Sequence, residues 1–218
     1  RALAVLAGVL VVVQGVMGGL RVTGRPTLSA EAADLSPQLA LAVVHGVVGQ
    51  LFFGLIVFVA AATTITWRRA PAPSPRPSGE TDLLLGAWFL AAVVVQLVLG
   101  ALLRHYHIDA TWHVCMAVAV VTLGGFAGVR AWGHHGDLPV LPRAGVAAAM
   151  ALALQLFLGI GALVVTTLDR PAGARVAWEV PIATAHQTTG ALILGLAVLV
   201  RAWTGRLVAA APEDAPAA

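Results

Sequence analysis

Three histidines recur in one setting. His45 opens HGVVGQLFFG, His113 opens HVCMAVAV and His186 opens HQTTGALILG. The fourth residue after each is small: Gly49, Ala117 and Gly190. Three glutamines recur in another setting. Gln14, Gln96 and Gln155 each stand four residues before a glycine, Gly18, Gly100 and Gly159. Residues four apart share one face of a helix. Each glutamine therefore lies one turn from a gap that admits a second backbone or a flat ligand. Each histidine has an open patch one turn below it, the clearance that a large planar ligand held by the imidazole needs. Amides and imidazoles in an apolar helix are costly without partners. Interhelical hydrogen bonding is the alternative use for both, and small-x-x-x-small is also common packing grammar in membranes.

The elements that must position these residues are membrane helices. Of 218 residues 59% are hydrophobic and 11% charged, against roughly 25% charged in a soluble domain. Six apolar segments of about 20 residues or more, the length that crosses a bilayer, are predicted at 2–23, 39–67, 83–104, 110–132, 144–168 and 181–203. The net charge of +3 comes from scattered arginines with no lysine. That scatter argues against nucleic acid as a partner. The single cysteine, Cys115, excludes an intrachain disulfide, a cysteine-pair metal site and C-x-x-C-H heme attachment. The Pro- and Ser-rich RRAPAPSPRPSGETD reads as a disordered linker, and the APEDAPAA tail falls outside the bundle. His134 and His135 read as solvated loop residues. Trp67, Trp132 and Trp203 read as an interfacial belt.

Arginines fix the expected orientation. Arg1, Arg68, Arg69, Arg76, Arg130, Arg143, Arg201 and Arg206 fall on one side, and Arg21, Arg25, Arg104, Arg170 and Arg175 on the other. Eight against five places the first group in the cytoplasm. Both termini are then cytoplasmic and the histidine ends face outward. The fold expected is all-α and transmembrane: three hairpins, each pairing a Gln-x-x-x-Gly helix with a histidine helix, in parallel repeats. Two hairpins make a four-helix bundle, where two facing histidines can ligate one heme iron. Arg21 and Arg104 follow their glutamines by seven and eight residues. They suit the carboxylates of a heme's propionates, or snorkel to the interface.

VVVQGVMGGLRVT with AVVHGVVGQLFF, VVVQLVLGALLRH with WHVCMA, and LQLFLGI with AHQTTGALIL resemble the heme A synthase family over nearly the whole chain. The resemblance implies an eight-helix fold of two four-helix bundles in the cell inner membrane. It implies oxidation of a heme O methyl to formyl, giving heme A for terminal oxidase assembly, with heme b as cofactor. By the same resemblance His113 and His186 ligate heme b, with Arg104 and Gly190 beside it. His45 and Arg21 meet the substrate heme O. Residues 1–67 are then the second half of the substrate bundle, 68–82 a cytoplasmic linker, 83–203 the heme b bundle and 204–218 a cytoplasmic tail. Expected partners are the bilayer, heme O, and a heme O synthase or oxidase assembly factors. The family's Glu-x-x-His motif does not occur in this sequence. The chain, which starts at Arg1, is expected to be a fragment or a processed form that lacks the family's first hairpin and cannot convert heme O alone. No residue here is assigned as catalytic. A b-type cytochrome that only transfers electrons, and a non-catalytic transporter or scaffold, are the competing readings.

Overall fold

A computed structural model describes residues 1–23, 36–167 and 177–211. Six long helices carry the chain: α1 (Ala2–Thr23), α2 (Ser36–Thr63), α4 (Gly79–Tyr106), α5 (Ala110–Gly133), α6 (Leu141–Thr167) and α7 (Glu179–Leu207). They are joined by a single turn, α3 (Ile65–Arg68), and two short strands, β1 (Ser74–Arg76) and β2 (Val208–Ala210). All six long helices are long and apolar enough to cross a membrane. The protein is an all-α, multi-pass membrane protein. Its outward side chains agree: Phe157, Met150 and Val118 are 73%, 68% and 65% exposed, surfaces that lipid covers at no cost and water does not. Arg25, Arg170, Arg175, Leu168 and the APEDAPAA tail from Pro212 onward lie outside the described residues.

Local chemistry sets the ends. Thr64 breaks the second predicted segment: its hydroxyl accepts from Trp67 N at 3.1 Å and donates to Ala61 O at 2.7 Å. It thus ends α2 and caps α3. Helix α4 starts at Gly79, four residues before the predicted boundary, because Glu80 and Asp82 suit the positive end of a helix. Asp109 accepts from Thr111 N at 2.8 Å at the start of α5, and that bond holds its carboxyl below the ordinary carboxylate range.

The chain divides into two compact units. The first holds residues 1–70 and 91–120: α1, α2, α3 and the adjoining halves of α4 and α5. The second holds 71–90 and 121–218. Its core gathers Ile193, Leu194, Ala197, Val200 and Trp203 of α7 with Leu141, Ala148 and Leu152 of α6 and Phe89 of α4. Trp203, expected in an interfacial belt, is instead 2% exposed in this core, whereas Trp132 is 60% exposed. Helices α5 and α6 touch through backbone. A Cβ on Gly128 would lie 2.8 Å from Gly145 O, and one on Gly145 would overlap Gly128 O. Small residues permit this approach.

Two sequence expectations change in the second unit. The segment read as a disordered linker contains β1, and the segment read as tail continues α7 to Leu207 and then forms β2. The strands pair in parallel, Ser74 with Val208 and Arg76 with Ala210. Side chains reinforce the pairing: Arg206 Nη1 donates to Pro71 O at 2.7 Å, and Ser74 Oγ to Leu207 O at 3.4 Å.

Candidate functional site

Each hairpin joins its glutamine to its histidine. In the first unit Gln14 of α1 donates to the backbone carbonyl of His45 on α2 at 3.1 Å. In the same unit Gln96 of α4 meets the ring of His113 on α5, Nε2 to Nε2 at 3.2 Å. In the second unit Gln155 of α6 meets His186 on α7 in the same way at 3.4 Å. All six side chains are half-buried. With either orientation of the carboxamide, Gln96 and Gln155 occupy the ring Nε2 positions.

The glycines explain the repeat. A Cβ on Gly18 would lie 3.4 Å from His45 Cε1, on Gly100 3.1 Å from His113 Cε1, and on Gly159 3.2 Å from His186 Cε1. A Cβ on Gly49 would lie 2.8 Å from Gln14 Nε2, and on Gly190 3.4 Å from Gln155 Nε2. Two helices run antiparallel with the same four-residue spacing, a step of about 6 Å. All three histidines, and the glutamines Gln14 and Gln155, therefore face a glycine of the other helix. The patch below His186, expected to admit a planar ligand, has the Gln155 amide against Gly190 in this structure. The patch at Gly49 likewise seats Gln14.

The remaining candidates stand at the histidine ends. Arg21 and Arg104 are exposed in the last turns of α1 and α4, and His105 lies within range of both charges. Among the described residues no group of three His, Cys, Asp or Glu side chains gathers to hold a metal ion. Cys115 is exposed.

A second polar cluster lies at the other end of α4 and α5, within the second unit. The Asp82 carboxylate, 5% exposed, accepts from Arg130 Nε at 2.6 Å, from Ser78 Oγ at 2.9 Å and bonds His135 Nε2 at 2.9 Å. His135, read from the sequence as solvated, is 2% exposed, whereas its neighbour His134 is exposed. A cavity of about 10 Å³ adjoins the pair, lined also by Thr204, Val200 and Ala131. That is the space of one water molecule. The available signal was Asp82 in a first helical turn, with Arg130 in the last turn of the next helix. Beyond the cluster, Arg76 and Asp137 form a two-pronged pair on the surface. The bond to Arg76 holds the Asp137 carboxyl below its ordinary range.

No protein-family model matches the chain, and neither a curated protein nor a solved structure matches it.

Proposed function

We propose that the chain is a heme-handling membrane oxidoreductase of the heme A synthase type. Its reaction would oxidise a methyl group of heme O to formyl, supplying heme A to a terminal oxidase. One observation carries the reading: in three hairpins of apolar helices a glutamine meets the histidine of the next helix, at the ring in two of them and at the backbone carbonyl in the first. The donor chemistry fits a heme. Imidazoles are common axial ligands of heme iron.

In this reading His113 and His186 hold heme b, which supplies one-electron transfer when bound. His45 holds the substrate heme O. Arg21 and Arg104 pair with propionates at the outer surface. Guanidinium and carboxylate would form charge-assisted bonds there. Apolar side chains flank the half-buried imidazoles. The family reading implies the inner membrane, and the arginine bias supports histidine ends outward and termini cytoplasmic. The bilayer surrounds it, and a heme O synthase or an oxidase assembly factor would hand over substrate or take product.

The test is the heme-to-protein ratio and visible spectrum of the purified chain and of His45→Ala, His113→Ala and His186→Ala. The expected result is one firmly held low-spin heme, lost in His113→Ala and in His186→Ala and retained in His45→Ala. A protein that binds no heme, or one whose low-spin heme is lost only in His45→Ala, refutes the assignment.

A further inference from the structure

The three hairpins differ in one respect. In the second and third, the carboxamide sits on the imidazole nitrogen; in the first, Gln14 bypasses the ring and donates to the backbone carbonyl of His45. The first hairpin therefore leaves the His45 ring without its glutamine. We infer that Gln96 and Gln155 are displaceable caps on the Nε2 atoms of His113 and His186, whereas His45 is left without one. Two rings are guarded and one is bare.

The geometry gives the caps room to act. Gln155 rests against Gly190, with a virtual Cβ 3.4 Å from its Nε2. The amide is held by one hydrogen bond and contact with Gly190, with no ion pair. It can turn away by side-chain rotation while the helices keep their places. A nitrogen lone pair cannot serve a hydrogen bond and a new ligand at once, so any group arriving at Nε2 must first displace the amide. The consequence for cofactor loading rests on the heme reading above; the capping itself does not. Gln96 and Gln155 are positioning residues: they govern when their histidines become reactive.

Diethyl pyrocarbonate acylates the unprotonated imidazole nitrogen and needs no heme. It is applied to the heme-free 218-residue chain in detergent, with acylation rates read at each histidine by mass spectrometry. Gln96→Met keeps the side chain's length and removes the amide. The expected result is that it speeds acylation of His113 about fivefold, the factor matching one net hydrogen bond of ~1 kcal/mol, and leaves His186 unchanged. Gln155→Met does the converse. Gln96→Asn and Gln155→Asn, too short to reach, behave as their Met counterparts. Gln14→Met leaves the His45 ring rate unchanged. Unaltered rates at His113 and His186 overturn the inference. So does a uniform rise at all histidines, which is the signature of loosened helix packing. Adding ferric protoporphyrin to the same variants separates the two claims. Faster appearance of a bound-heme absorption band in Gln96→Met or Gln155→Met extends capping to cofactor loading. No band in any form refutes the heme reading and leaves the acylation result to decide capping.

Discussion

Replacing Asp82 by alanine removes the acceptor shared by Arg130, His135 and Ser78. The carboxylate is 5% exposed and His135 2% exposed, so water does not replace what is lost. Breaking a buried ion pair from one side costs about 3–5 kcal/mol, chiefly because a charge stays behind without its partner. Arg130 is 24% exposed and turns part of its guanidinium toward solvent, which places the expected loss near the lower bound, at about 3 kcal/mol. The proper assay is reversible unfolding in mixed detergent, with intrinsic tryptophan fluorescence as the readout; Trp203, one residue from the cavity-lining Thr204, is among the reporters. A second arm tests the cause. In Asp82→Leu combined with Arg130→Met and His135→Phe, no unpaired charge remains, and most of the loss is recovered. The reasoning fails if Asp82→Ala costs less than about 1 kcal/mol, the range of an exposed pair. It also fails if the triple variant is less stable than Asp82→Ala.

Three further outcomes are expected. Gly145→Ala drives a methyl into the Gly128 carbonyl, and because backbone meets backbone the helices must separate; a loss of about 1–3 kcal/mol should appear in the same unfolding assay. Gly190→Ala places its methyl at ordinary contact distance from Gln155, 3.4 Å, and is tolerated, whereas Gly190→Leu dislodges the amide and reproduces the acylation rise at His186 seen for Gln155→Met. Asp137 is held below the usual carboxylate range first by its bond to Arg76. Its contribution to stability is present above the ordinary carboxylate value and is lost as pH falls through the depressed one. A carbon-13 NMR titration should show the Asp137 value rise toward normal in Arg76→Met.

The membrane helices were legible because about 20 apolar residues in a row have few alternatives to crossing a bilayer. Their ends were less so. Glu80 and Asp82 look like linker residues by polarity, yet they stabilise a helix N-terminus by charge. The repeated glutamines and histidines were legible as a pattern, but the use of their glycines was not. The gap below His186 is open when α7 is considered alone and closed once α6 lies antiparallel to it. The burial of His135 was hidden for a related reason: its partner Asp82 is 53 positions away, and no periodicity links a loop histidine to a helix start. The strands Ser74–Arg76 and Val208–Ala210 are too short to alternate, and their pairing depends on where α7 ends. The different hydrogen bond of Gln14 carries no sequence signal, since its Gln-x-x-x-Gly motif matches the other two.

The matching of each glutamine to the histidine of the next helix bears on how the chain enters the membrane. A lone helix bearing a carboxamide or an imidazole exposes that group to hydrocarbon, at a cost of several kcal/mol when no partner is present. The second and third hairpins, each delivered as a pair, bring amide and imidazole together before any other helix arrives. Each pair is therefore a self-sufficient parcel for the insertion machinery, and a chain interrupted in the loop between two parcels should still place both in the bilayer. An interruption inside a parcel strands a polar side chain in lipid and marks that fragment for degradation.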